Sequence, residues 1–242
     1  MKYAPHFSPV TATWIKLIAM ITMLIDHTAA IVLLPILQDS QAFPFSATTI
    51  ENLDWIYYWM RMIGRIAFPL YAFQIVEGSL KTSNQKAYLQ RLLLFSLVAE
   101  IPFDLAFHHS IFSLSGQNVM FTLLFGALAI FAYQYHFKSS YGWLNYVLPL
   151  VLIGLAEFMQ TDYGGKGVAF IIILYNLYRL LPRWLPVIAG TLFYLIYNQW
   201  TAWLAFLFMA LYNGQRGLLR GRWVYFFYPL HLVILVAIRA LI

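Results

Sequence analysis

The sequence predicts an all-α bundle of transmembrane helices, and three observations carry that reading. Of the 242 residues, 62% are hydrophobic and only 10% are charged. Mean hydropathy is +0.72, outside the range of soluble domains. Apolar runs recur along the whole length, so residues 1–242 read as a single membrane domain with no stretch left for a soluble one.

About nine apolar segments follow one another, centred near Met20, Pro69, Leu97, Gly126, Ile153, Leu174, Thr191, Phe206 and Leu235. Each runs ~14 to 23 residues against the ~20 that cross a bilayer, and the short sixth to eighth segments leave eight to ten spans open. The first segment follows MKYAPHFSPVTATW without a small-residue cleavage site, which reads as an uncleaved first helix. Trp14, Trp55, Trp143, Trp184, Trp200 and Trp223 sit at segment ends, as interfacial belts require.

Loop charges orient the spans. With the N-terminus cytoplasmic, Lys2, Lys16, Lys81, Lys86, Arg91, Lys138, Arg179, Arg183, Arg216, Arg220 and Arg222 fall on the inner side. Asp39, Glu51, Asp54 and Asp162, with Lys166 as the one base, fall on the outer side, and the C-terminus near Arg239 is exterior. The net charge of +6 therefore needs no nucleic acid to explain it. Absence of cysteine excludes disulfides, thiolate metal sites and a cysteine nucleophile. No histidine pair has zinc-enzyme spacing, and no phosphate-binding glycine loop follows a strand, so the reading contains no metal and no nucleotide hydrolysis.

Inside the spans lie Asp26, His27, Arg61, Arg65, Glu77, Glu100, Asp104, Glu157 and His231. Each costs at least ~2.5 kcal/mol at the bilayer centre, so each must face the bundle interior or a cavity and find a partner there. Helix direction puts Asp26, His27, Arg61, Arg65, Glu100, Asp104 and Glu157 in the exterior half. Arg61 and Arg65 share a face at i, i+4, as do Glu100 and Asp104, which flank Pro102. These four form either interhelical glue or a two-plus, two-minus functional constellation, and Arg65 is expected to pair with Asp26, Glu100 or Asp104. His27 is the stronger catalytic candidate, being a titratable ring at the depth of two arginines. Asp26 points ~100° away from it on a helix, so a carboxylate orienting the ring has to come from another helix, with Asp104 or Glu100 available.

Further along, Gly64 and Pro69 break the second segment beside its arginines, and Gly164, Gly165 and Gly167 form a flexible exterior loop after Asp162 and Tyr163. Asn118 opens the fourth helix, where an N-cap competes with a functional role. His6, His108, His109 and His136 receive no assignment.

The runs IKLIAMITMLIDH, GRIAFPLYAF, NVMFTLLFG, DYGGKGV and FFYPLHLVIL, in that order over nearly the whole chain, resemble the TraX family. That family includes the enzyme that acetylates F-type conjugative pilin, and it looks related to the transmembrane acyltransferase superfamily that O-acetylates surface sugars. Those relatives carry an Arg-x10-His signature, which Lys16 and His27 match with Lys in place of Arg. The resemblance implies His27 as catalytic histidine, Asp26 as its motif partner and Arg65 as the arginine of the second motif. Asn118, Tyr163 and His231 match further family positions.

The implied reaction moves an acetyl group from cytoplasmic acetyl-CoA to an extracytoplasmic acceptor, a pilin amine or a glycan or lipid hydroxyl, in the bacterial cytoplasmic membrane. His27 acts as base or acetyl carrier, Arg65 backed by Arg61 stabilises the oxyanion, and Lys16 with the basic loops meets CoA phosphates. Two other classes compete. A proton-coupled transporter would use Asp26, His27, Glu100 and Asp104 as a relay, and inverted repeats, which are not visible, would favour it. A scaffold for pilus or envelope assembly would leave the intramembrane charges without a purpose.

Overall fold

A computed structural model of the protein describes residues 9–39, 42–135, 137–218 and 223–242. Lys2, His6, His136, Arg220 and Arg222 lie outside the described residues. The chain is all-α as expected, with no strand among the described residues beyond two isolated bridges, Val10 to Tyr212 and Gln117 to Thr161.

The described elements begin with α1 (Ala12–Thr28), which continues through a π turn (Ala29–Leu33) into α2 (Leu34–Gln38) as one rod. Pro35 has no N–H to give the carbonyl of Ile31 and its ring crowds that carbonyl, and the widened turn absorbs the conflict just beyond His27. Ser46 caps α3 (Ala47–Gly64) by accepting from the Thr49 amide at 3.2 Å. A break at Arg65 and Ile66 separates α3 from α4 (Ala67–Lys81), because Pro69 leaves the Arg65 carbonyl without its helical donor. Asn84 caps α5 (Gln85–Phe107), which contains Pro102.

After these come α6 (Val119–Gln134), α7 (Leu144–Phe158), α8 (Gly164–Leu180) and α9 (Leu185–Tyr197). A 3-10 turn (Trp200–Ala202) leads into α10 (Trp203–Leu211), and α11 (Trp223–Leu241) closes the chain. The α6 sequence is apolar all round and α6 is the centre, buried from Val119 to Ala127 without interruption and packed on α4, α5, α7 and α8. The first rod lies against α3, α4 and α11, while α9 and α10 lean on α8 and α4 respectively.

The outward faces are as apolar as the core. Leu93, Leu94, Leu97, Val98 and Ile101 are exposed on α5, and Leu230, Val233, Ile234 and Ile238 on α11. Ser96, Asp104, Asn118 and Thr122 are instead fully buried. An apolar circumference around a partly polar interior suits lipid rather than water. Three helical stretches, Ala12–Gln38, Ser139–Phe158 and Val224–Leu241, are long and apolar enough to cross a bilayer, and the remaining apolar helices are shorter.

The two ends of the bundle are tied down by different contacts. At one end the start of the first rod and the end of α4 both meet the segment before α11, through Ala12 N–H to the Gln215 carbonyl at 2.8 Å and Lys81 Nζ to the Gly214 carbonyl at 2.8 Å. At the other, Arg239 donates to the carbonyls of Leu105 and Ala106, both at 2.7 Å, and so caps the negative end of α5.

Candidate active site

The first and last helices meet at two histidines. His27 Nδ1 lies 2.7 Å from His231 Nε2, and His231 Nδ1 lies 2.8 Å from the Phe227 carbonyl oxygen. The two rings are nearly parallel, at 10°, yet their centroids are 5.0 Å apart, so they meet edge to edge through nitrogen rather than face to face. Phe107 and Tyr228 set their ring edges against His27, and Phe227 stacks on His231 at 4.8 Å. The pair is thus sheathed in aromatic carbon.

Next to His27 on α1 but about 100° round the helix, Asp26 pairs with Arg61 at 2.8 Å. The carboxylate fits only because position 64 is glycine: a Cβ there would come within 2.2 Å of Asp26 Oδ1. Arg61, rather than Arg65, holds this acid. Arg65 makes no hydrogen bond or ion pair among the described residues, while it acts electrostatically on Asp162, as Arg61 and Asp26 also do. Asp162 lies in the turn before α8.

Tyr163 takes up a left-handed conformation there, with φ of +68°, and stacks its ring on Phe68 at 3.7 Å. Glu157 accepts from the Gly165 amide at 2.9 Å. Gly167 has no room for a side chain, since a Cβ would meet Tyr163 Cβ at 2.7 Å and Thr122 Cγ2 at 2.8 Å. The glycines after Tyr163 therefore belong to a tightly packed helix start, where the sequence suggested a flexible loop.

The expected constellation of Arg61, Arg65, Glu100 and Asp104 does not assemble. Glu100 bonds the Asn118 side chain. Asp104 binds His108 Nδ1 at 2.9 Å and the Ser113 amide at 2.7 Å, holding the loop after α5. Neither carboxylate orients His27, and that position belongs to His231. Asn118 is fully buried as the N-cap of α6, accepting from the Met120 amide at 2.9 Å and donating to the Ser96 carbonyl at 2.9 Å. The helix order explains the miss: α3 packs on the first rod, while α5 packs on α6 and α11.

A cavity of about 490 Å³ extends from the basic end of the bundle to Tyr228, whose ring packs against both histidines. Lys16, Lys81, Arg91 and Arg216 line its outer part, with Glu77 as the single acid in the lining among the described residues. Glu77 is held by Lys81 at 2.6 Å and by the Tyr212 hydroxyl. Deeper, the wall is Met23, Tyr71, Gln74, Met120 and Tyr228, and Tyr228 is the residue whose ring edge meets both histidines. The Gln74 amide nitrogen is buried without a hydrogen-bond partner among the described residues. Lys16 and His27 are eleven residues apart on α1, so a rise of 1.5 Å per residue separates the mouth from the histidine by roughly 16 Å.

Four cations at the entrance and an apolar depth suit a long molecule with an anionic head. Sequence reasoning placed Lys16, Arg91, Arg179, Arg183, Arg216, Arg220 and Arg222 toward such a ligand; Arg179 and Arg183 do not line the cavity, Arg220 and Arg222 lie outside the described residues, and Lys81 and Gln74, which only the packing of α4 identifies, were missed. Among the described residues no group of three His, Asp or Glu side chains could hold a metal.

Comparison with known proteins adds relatives. The profile of a family described as "TraX protein" matches residues 11–239. The chain is also similar to a protein of Dichelobacter nodosus described as "Probable fimbrial assembly protein FimC, serogroup H1", with 28% identity over 257 residues, covering 95% of this chain and 96% of that protein. No solved structure matches.

Proposed function

We propose, from the premise that this chain belongs to the TraX family, that it is a multi-pass acetyltransferase of the bacterial cytoplasmic membrane. Acetyl-CoA enters from the cytoplasm and an extracytoplasmic amine or hydroxyl receives the acetyl group. The observation that supports this best is the continuity of one cavity, from a four-cation mouth to the ring that touches His27.

CoA phosphates lie against Lys16, Lys81, Arg91 and Arg216, Gln74 offers its unpartnered amide to the thioester arm, and the acetyl group arrives beside His27. The His27 Nε2 lone pair takes the proton of the attacking amine or hydroxyl. The acceptor bonds to the carbonyl carbon, the C–S bond breaks, and the thiolate recovers the proton from His27. Arg65, which has no hydrogen-bond or ion-pair partner among the described residues, is the residue assigned to stabilise the oxyanion, a role in which one well-placed donor is worth ~3 kcal/mol. A fimbrial assembly relative favours a pilus-related acceptor. The transporter alternative needs Glu100 and Asp104 in its relay, whereas these bind Asn118 and His108.

The purified protein in detergent should release free CoA from acetyl-CoA when envelope acceptor is supplied. Lys16→Ala should raise the KM for acetyl-CoA about tenfold at unchanged kcat, because it removes a ground-state contact with the head group. No CoA release with any envelope fraction would end the acetyltransferase reading.

Orientation is testable on its own, because the native chain has no cysteine to confuse labelling. An impermeant thiol reagent applied to intact cells should label Asp162→Cys and Asp54→Cys but neither Lys86→Cys nor Arg216→Cys. The reverse pattern at 162 and 216 would invert the cytoplasmic assignment of the cavity mouth.

A further inference from the structure

We infer that His231 is the positioning residue of the transfer reaction: it fixes His27 in the Nδ1–H tautomer and stabilises the imidazolium formed when His27 takes the acceptor's proton. The inference rests on the acetyltransferase reading above and adds to it the group that makes His27 a base.

The tautomers follow from the partners. A carbonyl oxygen accepts and cannot donate, so the 2.8 Å contact to Phe227 requires the proton on His231 Nδ1. That carbonyl has a second lone pair to spare for its helical amide. Neutral His231 then presents a bare Nε2, and the 2.7 Å contact requires His27 to donate from Nδ1. The remaining nitrogen of His27, Nε2, is left with its lone pair and no hydrogen-bond partner among the described residues. One direction of donation runs from His27 through His231 into the α11 backbone.

Reaction enhances this arrangement. When Nε2 of His27 gains a proton, its Nδ1–H becomes a stronger donor, and the acceptor is already in place at hydrogen-bond distance in an edge-to-edge geometry. In many catalytic histidines a carboxylate fills this position. Here no carboxylate hydrogen-bonds to either ring among the described residues, and Phe107, Phe227 and Tyr228 surround them. A neutral imidazole as orienter lets the couple sit in apolar surroundings without a fixed charge.

The test combines kinetics with a direct reading of the ring. His231→Phe preserves the aromatic volume but has no acceptor; kcat should fall about 100-fold, the lower range for loss of effective general-base catalysis, with the KM for acetyl-CoA within twofold of wild type. His231→Gln supplies an amide oxygen to the His27 Nδ1–H and should restore most of kcat. Nitrogen-15 NMR of ring-labelled protein, assigned with His27→Asn, should show the His27 proton on Nδ1 in wild type and the Gln variant and distributed over both nitrogens in the Phe variant. Wild-type kcat in His231→Phe, or an Nε2–H His27 in the unsubstituted protein, would overturn the inference while leaving CoA release intact. A wild-type protein that transfers no acetyl group overturns the underlying reading instead.

Discussion

His27→Ala should abolish acetyl transfer, lowering kcat by at least ~1000-fold, while the protein still inserts and folds. The loss of rate follows from the position of Nε2, the one ring nitrogen of the couple left to accept a proton. General-base contributions of 10²–10⁴ set the scale. The stability half of the expectation has a separate basis. Removing a polar ring from the membrane interior does not hinder insertion, and His231 keeps its bond to the Phe227 carbonyl. His27→Gln divides the roles: it can donate to His231 Nε2 but has no titratable nitrogen, so it should be as inactive as His27→Ala. Radiolabelled acetyl transfer to envelope material, with the melting curve of each purified variant alongside, measures both halves. Activity retained by His27→Gln and lost by His27→Ala would make His27 a positioning group rather than a base, and activity near wild type in both would remove it from the chemistry.

That Asp26 and Arg61 share a level was legible in the sequence, but most of the ionisable residues' neighbours were not. Hydropathy and loop charge placed Asp26, His27, Arg61 and Arg65 at a common level, and Asp26 with Arg61 do meet there. The same argument joined Arg61 and Arg65 to Glu100 and Asp104, and failed because equal depth says nothing about which helices are adjacent. His231 was visible as a motif position, but its contact with His27 spans 204 residues of separation. No local pattern encodes that contact. Two histidines at interior depth in the first and last spans, each lacking an acid one helical turn away, were the available signal. The π turn after Thr28 was equally hidden, since Pro35 in an otherwise regular apolar helix suggests only a kink. Asn118 was decided by burial: a side chain with no exposed surface and three structural bonds has nothing left for substrate.

Gly64→Val should cost more stability than any other single change at this site. Its Cβ would lie 2.2 Å from Oδ1, 2.3 Å from Cβ and 2.4 Å from Cγ of Asp26. The root of the Asp26 side chain is included, so no rotamer of Asp26 relieves the overlap. α1 and α3, which pack directly on each other, must separate. Separation breaks the Asp26–Arg61 pair, leaving a cation without its counter-charge in a partly buried place. Loss of that packing together with the pair should amount to ~3 kcal/mol, the scale of overpacking in a close-fitted core, after discount for the partial exposure of both groups. The unfolding midpoint in detergent should fall by on the order of 10 °C. Asp26→Gly in the same chain removes the obstructing side chain and should recover the helix contact but not the pairing, so the double variant should melt between Gly64→Val and wild type. Because α1 also carries His27, Gly64→Val should lose transfer activity even at temperatures where it remains folded, with the His27–His231 bond lengthened or broken. A Gly64→Val protein that melts within two degrees of wild type would mean that α1 and α3 do not approach at Asp26, and the site would have to be rebuilt from another pairing of helices.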